Sequence, residues 1–394
     1  PCAICKLEPG RTPCCHGQAR GVGTDNDPSA PAYYEGGDMM QPGYHDINLY
    51  TKDGWPDIDM LANTGAILIV LIGARRIGKT YGVLHKYIKE QVPMLYLRLT
   101  KTQLDRCASG GNNPFDPPAK DLGIDTAFEI SGDSYLVREV TERDEKERPT
   151  AYGRFIAQGS SIYSTRGIAS GQYGAIVFDE FIPERGTAVR KDAGYNLKSS
   201  IQSVTDVNTA DIPVWLLANS NNLDSDVLQE FGLISVYEDM RLTGANCWLS
   251  PDSGTLCVDF KKSPISAQLK QTRLGRILNT GSYGEMAFEN DWSNNNFANV
   301  RRLPGKQVRE YVDTLHLGDI MIMMHKTESW WYIRKAPNCP AKVPHWDVTP
   351  DTQRDIGRVF FGLLTGVAHG NITYDSFETK RKFNDYALGG RYKL

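Results

Sequence analysis

Apolar positions along the chain fall into short unbroken runs separated by polar, glycine-containing stretches. Ala66–Ile72 is apolar throughout, the length and texture of a strand covered on both faces of a sheet. Met94–Leu99 is a second such run interrupted only by Arg98, and Ala175–Phe178 and Val214–Ala218 are two more. Between the first two, Val83, Leu84, Tyr87 and Ile88 recur at helical spacing and predict a helix over Tyr81–Gln91. Weaker strand-like pieces follow at Ala127–Ile130, Tyr135–Val140 and Arg154–Ala157, with the charged Glu142–Arg148 read as a solvated hairpin tip. A helix is predicted over Thr187–Thr205. Past Val300 the pattern predicts strands at Val308–Val312, Ile320–Met324 and Trp330–Arg334, then a helix over Asp351–Leu364. Alternating buried strands and helices predict an α/β fold from Asn63 onward. Residues 1–62 are rich in Gly, Pro, Asp and Asn without periodicity, and are expected to be a surface extension, ordered only in part.

Composition narrows this picture in three ways. The net charge of −3 over 394 residues supplies no global basic field, so any contact with nucleic acid must rest on local patches. The longest apolar run is far too short to span a bilayer, so no membrane partner is expected, and no signal-peptide core is visible near Pro1. Eight cysteines are unevenly placed. Cys107, Cys247, Cys257 and Cys339 are expected to be free thiols, as in a reducing compartment. Cys2, Cys5, Cys14, Cys15 and His16 have the composition of a zinc knuckle, but the spacing fits no standard finger, and a thiol-bearing tail is the plainer expectation.

The chemistry sits at the ends of the apolar runs. Ala66–Ile72 leads into Gly73-Ala74-Arg75-Arg76-Ile77-Gly78-Lys79-Thr80, a G-x-x-x-x-G-K-T loop between strand and helix. In that context the glycines let backbone N–H groups cradle phosphate oxygens, with the positive end of the helix behind them. Lys79 is then expected on the β and γ phosphates of ATP and Thr80 on Mg²⁺. About 100 residues further on, Ala175-Ile176-Val177-Phe178 ends in Asp179-Glu180. Alternation along a strand aims the two carboxylates in different directions. Asp179 is expected to hold Mg²⁺ and Glu180 to act as general base toward water. A base beside the γ-phosphate argues for hydrolysis and against a kinase, which must exclude water. Val214–Ala218 ends in Asn219, a candidate γ-phosphate sensor or a residue that merely turns the chain.

The loop G-A-R-R-I-G-K-T, the block Ile176–Ile182, and Thr272–Leu278 running on to Gly281–Met286 together resemble the DNA-packaging ATPase of small tailed bacteriophages of the phi29-like group. The resemblance covers about residues 64–290 and, more faintly, the remainder. It implies a RecA-like P-loop domain of the catalytic-glutamate class over 63–235 and a small linker domain over 236–299. A C-terminal α+β nuclease-like domain of RNase H type, vestigial in its metal-binding acids, would occupy 300–394. The activity implied is ATP hydrolysis by a homo-oligomeric ring on the prohead portal, driving double-stranded DNA inward in the host cytoplasm, with a packaging RNA as a further candidate partner. By position, Lys101 matches a basic residue facing the central channel, and Arg166 one that reaches the neighbouring subunit's ATP. The family's arginine-rich segment before Asn219 is missing, since no Lys or Arg lies between Lys198 and Arg241; the arginine finger is therefore expected from Arg166, then Arg185 or Arg190. Lys261, Lys262, Lys270, Arg273 and Arg276 form the most basic section, open to DNA, a neighbour or solvent. Asp313, Asp319 and Asp347 have no motif spacing, so no cleavage is expected. A nucleotide-binding switch with little turnover is the alternative reading.

Overall fold

The computed structural model describes residues 40–108, 113–132, 134–140, 152–163, 165, 171–183, 192–205, 211–219, 223, 225–280, 284, 288 and 299–388. The Cys2–His16 set, Glu142–Arg148, Arg166, Arg185, Arg190 and most of Gly281–Met286 lie outside the described residues.

The unbroken apolar runs become the centre of a ten-stranded sheet. Its strands are β1 (Gly43–His45), β2 (Leu68–Gly73), β3 (Met94–Arg98), β4 (Thr126–Ser131), β5 (Ser134–Val140), β6 (Tyr152–Ser161), β7 (Ala175–Asp179), β8 (Val214–Ala218), β9 (Cys247–Leu249) and β10 (Thr255–Phe260). Their order is β1-β9-β10-β2-β8-β7-β3-β6-β5-β4. From β10 to β6 every pairing is parallel, and antiparallel strands finish both edges. Parallel strands need cover on both faces. One face carries helix Lys79–Lys89 through the buried Val83, Leu84, Tyr87 and Ile88. The other carries helices Ala193–Val204 and Ile234–Thr243, led by Leu197, Tyr237 and Met240. This is the expected α/β arrangement, a sheet with a parallel centre covered by helices on both faces.

The edges of that unit differ from expectation. Residues 40–62 belong to the core in place of an extension: β1 pairs with β9, and Leu49 and Leu61 are fully buried. Their apolar anchors come singly, so no period announced them. The sheet also runs past residue 235, because β10 pairs with β2 along its whole length; the expected linker domain begins inside the sheet.

A second sheet holds β11 (Tyr311–Leu317), β12 (Ile320–His325), β13 (Trp331–Lys335), β14 (His345–Trp346) and β15 (Ile372–Tyr374). The order is β14-β11-β12-β13-β15, an antiparallel meander with a parallel strand on each edge. Val308, expected to start a strand over Val308–Val312, ends the helical turn Gly305–Val308, and β11 begins only at Tyr311. The helix expected over Asp351–Leu364 breaks at Phe360 into Pro350–Val359 and Phe361–His369. Helix Phe377–Leu388 joins the two units: the Phe377 N–H donates to Glu238 Oε1 at 2.7 Å, and its ring packs into the first unit's core.

Candidate nucleotide site

The parallel strands end on one edge, and their C-terminal tips converge on a cavity of about 1260 Å³. The loop from Gly73 to Thr80 closes one wall of it. Gly78 takes φ 95°, and a Cβ there would sit 2.9 Å from the Trp55 ring, so the position admits only glycine. At Gly73 a Cβ would meet Ile77 and Phe260 at 2.8 Å. Ala74, Arg75, Arg76, Ile77 and Lys79 follow this forced path, with Arg76 left-handed at φ 61°. Arg75, Arg76, Ile77, Gly78, Lys79 and Thr80 all line the cavity.

Strand β8 lies between β2 and β7, which brings Asn219 between the loop and the acid pair. The Lys79 ammonium donates to Gly73 O at 2.9 Å, Ala74 O at 2.8 Å and Asn219 Oδ1 at 3.3 Å. Each of its three protons thus has an acceptor. Burial nevertheless pulls this ammonium down to about 7, with Arg75 adding to the effect and Asp179 and Glu180 opposing it.

Asp179 ends β7, almost fully buried. Its Oδ1 accepts from the Thr80 hydroxyl at 3.0 Å and from the Glu180 N–H at 3.0 Å, and its Oδ2 accepts from the Tyr96 hydroxyl at 2.8 Å. The Arg98 guanidinium bridges the two acids, at 3.1 Å to Asp179 Oδ2 and 2.7 Å to Glu180 Oε2. Glu180 is held at φ 56°, a left-handed conformation that costs a non-glycine residue about 1 kcal/mol or more. A buried carboxylate and a hydroxyl 3.0 Å apart offer hard oxygen donors of the kind Mg²⁺ takes.

Tyr96, Arg98 and Trp55 are site residues the sequence reading missed. Arg98 had one signal, a lone cation inside an otherwise apolar run; Tyr96 and Trp55 had none. Lys101 lies one turn from this edge at the start of helix Lys101–Ala108. It pairs with Asp105 and stacks over the Tyr135 ring, 4.6 Å from its centroid.

Two solved structures share this fold. The bacteriophage Phi-29 viral genome packaging motor assembly is similar at 18% identity, over 87% of this chain and 99% of that chain, with a TM-score of 0.57. The Phi-28 gp11 DNA packaging motor is similar at 15% identity, over 86% of this chain and 98% of that chain, with a TM-score of 0.52. At these identities the likeness is one of fold. No protein-family model and no curated protein matches the sequence.

Proposed function

We propose that the chain is the ATPase of a viral DNA-packaging motor, hydrolysing ATP to drive double-stranded DNA through a portal. One observation carries the nucleotide half of this reading: the hydroxyl of Thr80 and the carboxylate of Asp179 meet at 3.0 Å beside the Lys79 ammonium. The packaging half rests on a fold shared, over most of the chain, with two phage packaging motors. It carries with it a homo-oligomeric ring on the prohead portal in the host cytoplasm, and room for a packaging RNA. Among the described residues no helix is long and apolar enough to cross a membrane.

In this reading the loop from Gly73 to Gly78 wraps the β-phosphate with backbone N–H groups. Lys79 exchanges its carbonyl acceptors for β and γ oxygens. Thr80 and Asp179 hold Mg²⁺, which when bound spreads the negative charge developing on the transferred phosphate. Glu180 takes a proton from the attacking water. Asn219, hydrogen-bonded to Lys79, reports loss of the γ-phosphate to β8. A neighbour's arginine completes the charge balance, with Arg166 as the first candidate.

The C-terminal unit is read as a nuclease-like domain that no longer cuts. Support comes from the three acids named above, each of which has a basic neighbour: Asp313 lies 4.0 Å from Arg334, Asp319 is bound by Lys382 with the Tyr386 hydroxyl beside it, and Asp347 lies 3.3 Å from His345. A two-metal nuclease needs several acids converging on one spot.

The Arg98–Glu180 contact favours a second reading, a nucleotide switch with little turnover, since Arg98 occupies the carboxylate that would take the water's proton. Hydrolysis by the full chain, measured with and without double-stranded DNA and empty capsids, separates the two. The motor reading expects stimulation by both, and Glu180→Gln should bind ATP normally while turnover falls at least about 100-fold. Normal hydrolysis by that variant would remove Glu180 from the mechanism.

A further inference from the structure

The second sheet carries a side-chain cluster that the nucleotide reading does not use. His316 on β11 is buried, and its register partner on β14 is His345. Their rings lie 4.9 Å apart, with Nδ1 facing Nδ1 at 2.7 Å. The outer nitrogens constrain the His316 tautomer and leave that of His345 open. His316 Nε2 lies 2.7 Å from Ala336 O, which can only accept, so this nitrogen carries hydrogen. His345 Nε2 lies 3.3 Å from Asp347 Oδ1, a carboxylate that likewise accepts. A neutral imidazole has a single N–H. His316 Nδ1 therefore presents a lone pair toward His345, where it can accept the Nδ1–H of His345 or, with His345 Nδ1 also unprotonated, share a cation with it.

A third donor decides which cation. Cys339, on the turn after β13, brings its Sγ to within 4.8 Å of ligand nitrogens on both histidines. A shared proton needs no sulfur. Two imidazoles and a thiolate, by contrast, are three of the four ligands of a tetrahedral zinc ion. The outer contacts are also those of metal-bound histidines, which pass their other N–H to a carboxylate or a backbone carbonyl. From these contacts we infer that His316, Cys339 and His345 bind a zinc ion, with a water molecule in the fourth position.

The fit is close. Zn–N bonds of about 2.0–2.1 Å at tetrahedral angles put the two nitrogens roughly 3.3 Å apart, so the rings open by roughly 0.6 Å while the sulfur moves inward. The thiol gives up its proton to solvent on binding. Its present contacts, 3.4 Å to Val343 O and 3.5 Å to Pro340 O, are weak ones to surrender. The ion ties β11, the turn Ala336–Pro344 and β14 together. β14 is two residues long and pairs only with β11, so its backbone bonds alone hold it poorly. The zinc ion is a staple for this edge of the C-terminal unit, independent of ATP hydrolysis.

The test uses the full chain without a polyhistidine tag, with Cys2, Cys5, Cys14 and Cys15 changed to Ser to remove the competing N-terminal thiols. The reduced protein is given one equivalent of Zn²⁺ at neutral pH, dialysed against metal-free buffer and analysed for zinc. About one zinc per chain is expected, falling at least tenfold in Cys339→Ser, whose exposed site tolerates the change. Asp347→Asn should weaken zinc binding by about 10–100-fold while keeping the ligands. Co²⁺ in place of zinc should give a sulfur-to-cobalt charge-transfer band that Cys339→Ser abolishes. Retention of no zinc by the parent chain, or of equal zinc by parent and Cys339→Ser, overturns the inference.

Discussion

Replacing Arg98 by Met tests whether the acid pair is built around a removable cation. The guanidinium is buried, and its contacts at 3.1 and 2.7 Å neutralise Asp179 and Glu180 together. Met fills similar volume with no charge. Deleting one partner of a buried ion pair costs about 3–5 kcal/mol, because the other charge is left uncompensated. Asp179 keeps the Thr80 and Tyr96 hydroxyls and the Glu180 N–H, and the Glu180 side chain is 41% exposed. The lower end of the range, about 3 kcal/mol, is therefore expected. In a unit of this size that lowers Tm by roughly 6–12 °C. Circular-dichroism melts in EDTA would measure it. Adding Mg²⁺ with a non-hydrolysable ATP analogue should return most of the loss, because a divalent ion at Asp179 replaces the missing charge; by linkage, the nucleotide complex stabilises Arg98→Met more than it stabilises the parent chain. An equal Tm loss with and without Mg²⁺ and nucleotide would refute the idea that Arg98 occupies the electrostatic place of the metal. No loss at all would refute the pairing itself.

Three further outcomes follow from the same contacts. Burial holds Lys79 at about 7, below its ordinary 10.5, so its drag on stability is complete below pH 7 and fades as pH rises toward 10.5. A bound triphosphate reverses the shift, so ATP should take up protons just above pH 7; calorimetry in buffers of different ionisation enthalpy reads this, and uptake that persists in Lys79→Met would count against it. Burial also raises Glu238 to about 7, helped by Asp239 and Asp375 and opposed by the Phe377 N–H and Arg302. A carboxyl raised from its ordinary 4.5 stabilises the native chain fully below that pH and loses the effect as pH climbs through 7. Corrected for the intrinsic rise of amide exchange with pH, helix Phe377–Leu388 should accordingly be less protected at pH 8 than at pH 6, and Glu238→Gln, which keeps the acceptor, should flatten that difference in protection. Lys101 must leave Asp105 to grip a DNA phosphate, so Asp105→Asn should raise DNA-stimulated hydrolysis, while Lys101→Ala should lower it and reduce its salt slope by about one unit; unchanged slopes would exclude Lys101 from the backbone.

What the sequence disclosed divides along a physical line. Gly73–Thr80, Asp179-Glu180 and Asn219 were readable because each sits where an unbroken apolar run stops, and parallel strands that stop on one edge must bring such residues together. Arg98 and Tyr96 end or line a similar run at β3, yet their task depends on β3 lying beside β7, a neighbour about 80 residues away in sequence. No local period encodes that adjacency. Trp55 was hidden for the opposite reason: it comes from a stretch with no period, and its purpose, to press on Gly78, shows only as the glycine's intolerance of a Cβ. The pairing of His316 with His345 belongs with Arg98, since it exists only through the parallel register of β11 and β14. At the nucleotide site the sequence could name the loop and the carboxylates, and Arg98, which it could not name, supplies the carboxylates' counter-charge. Arg98 is therefore the residue whose replacement best separates a competent hydrolase from a nucleotide-bound switch. If Glu180 acts as a base, freeing it from Arg98 should leave hydrolysis measurable, since its carboxylate is then open to the attacking water. A switch that merely holds nucleotide should gain no turnover from the same change.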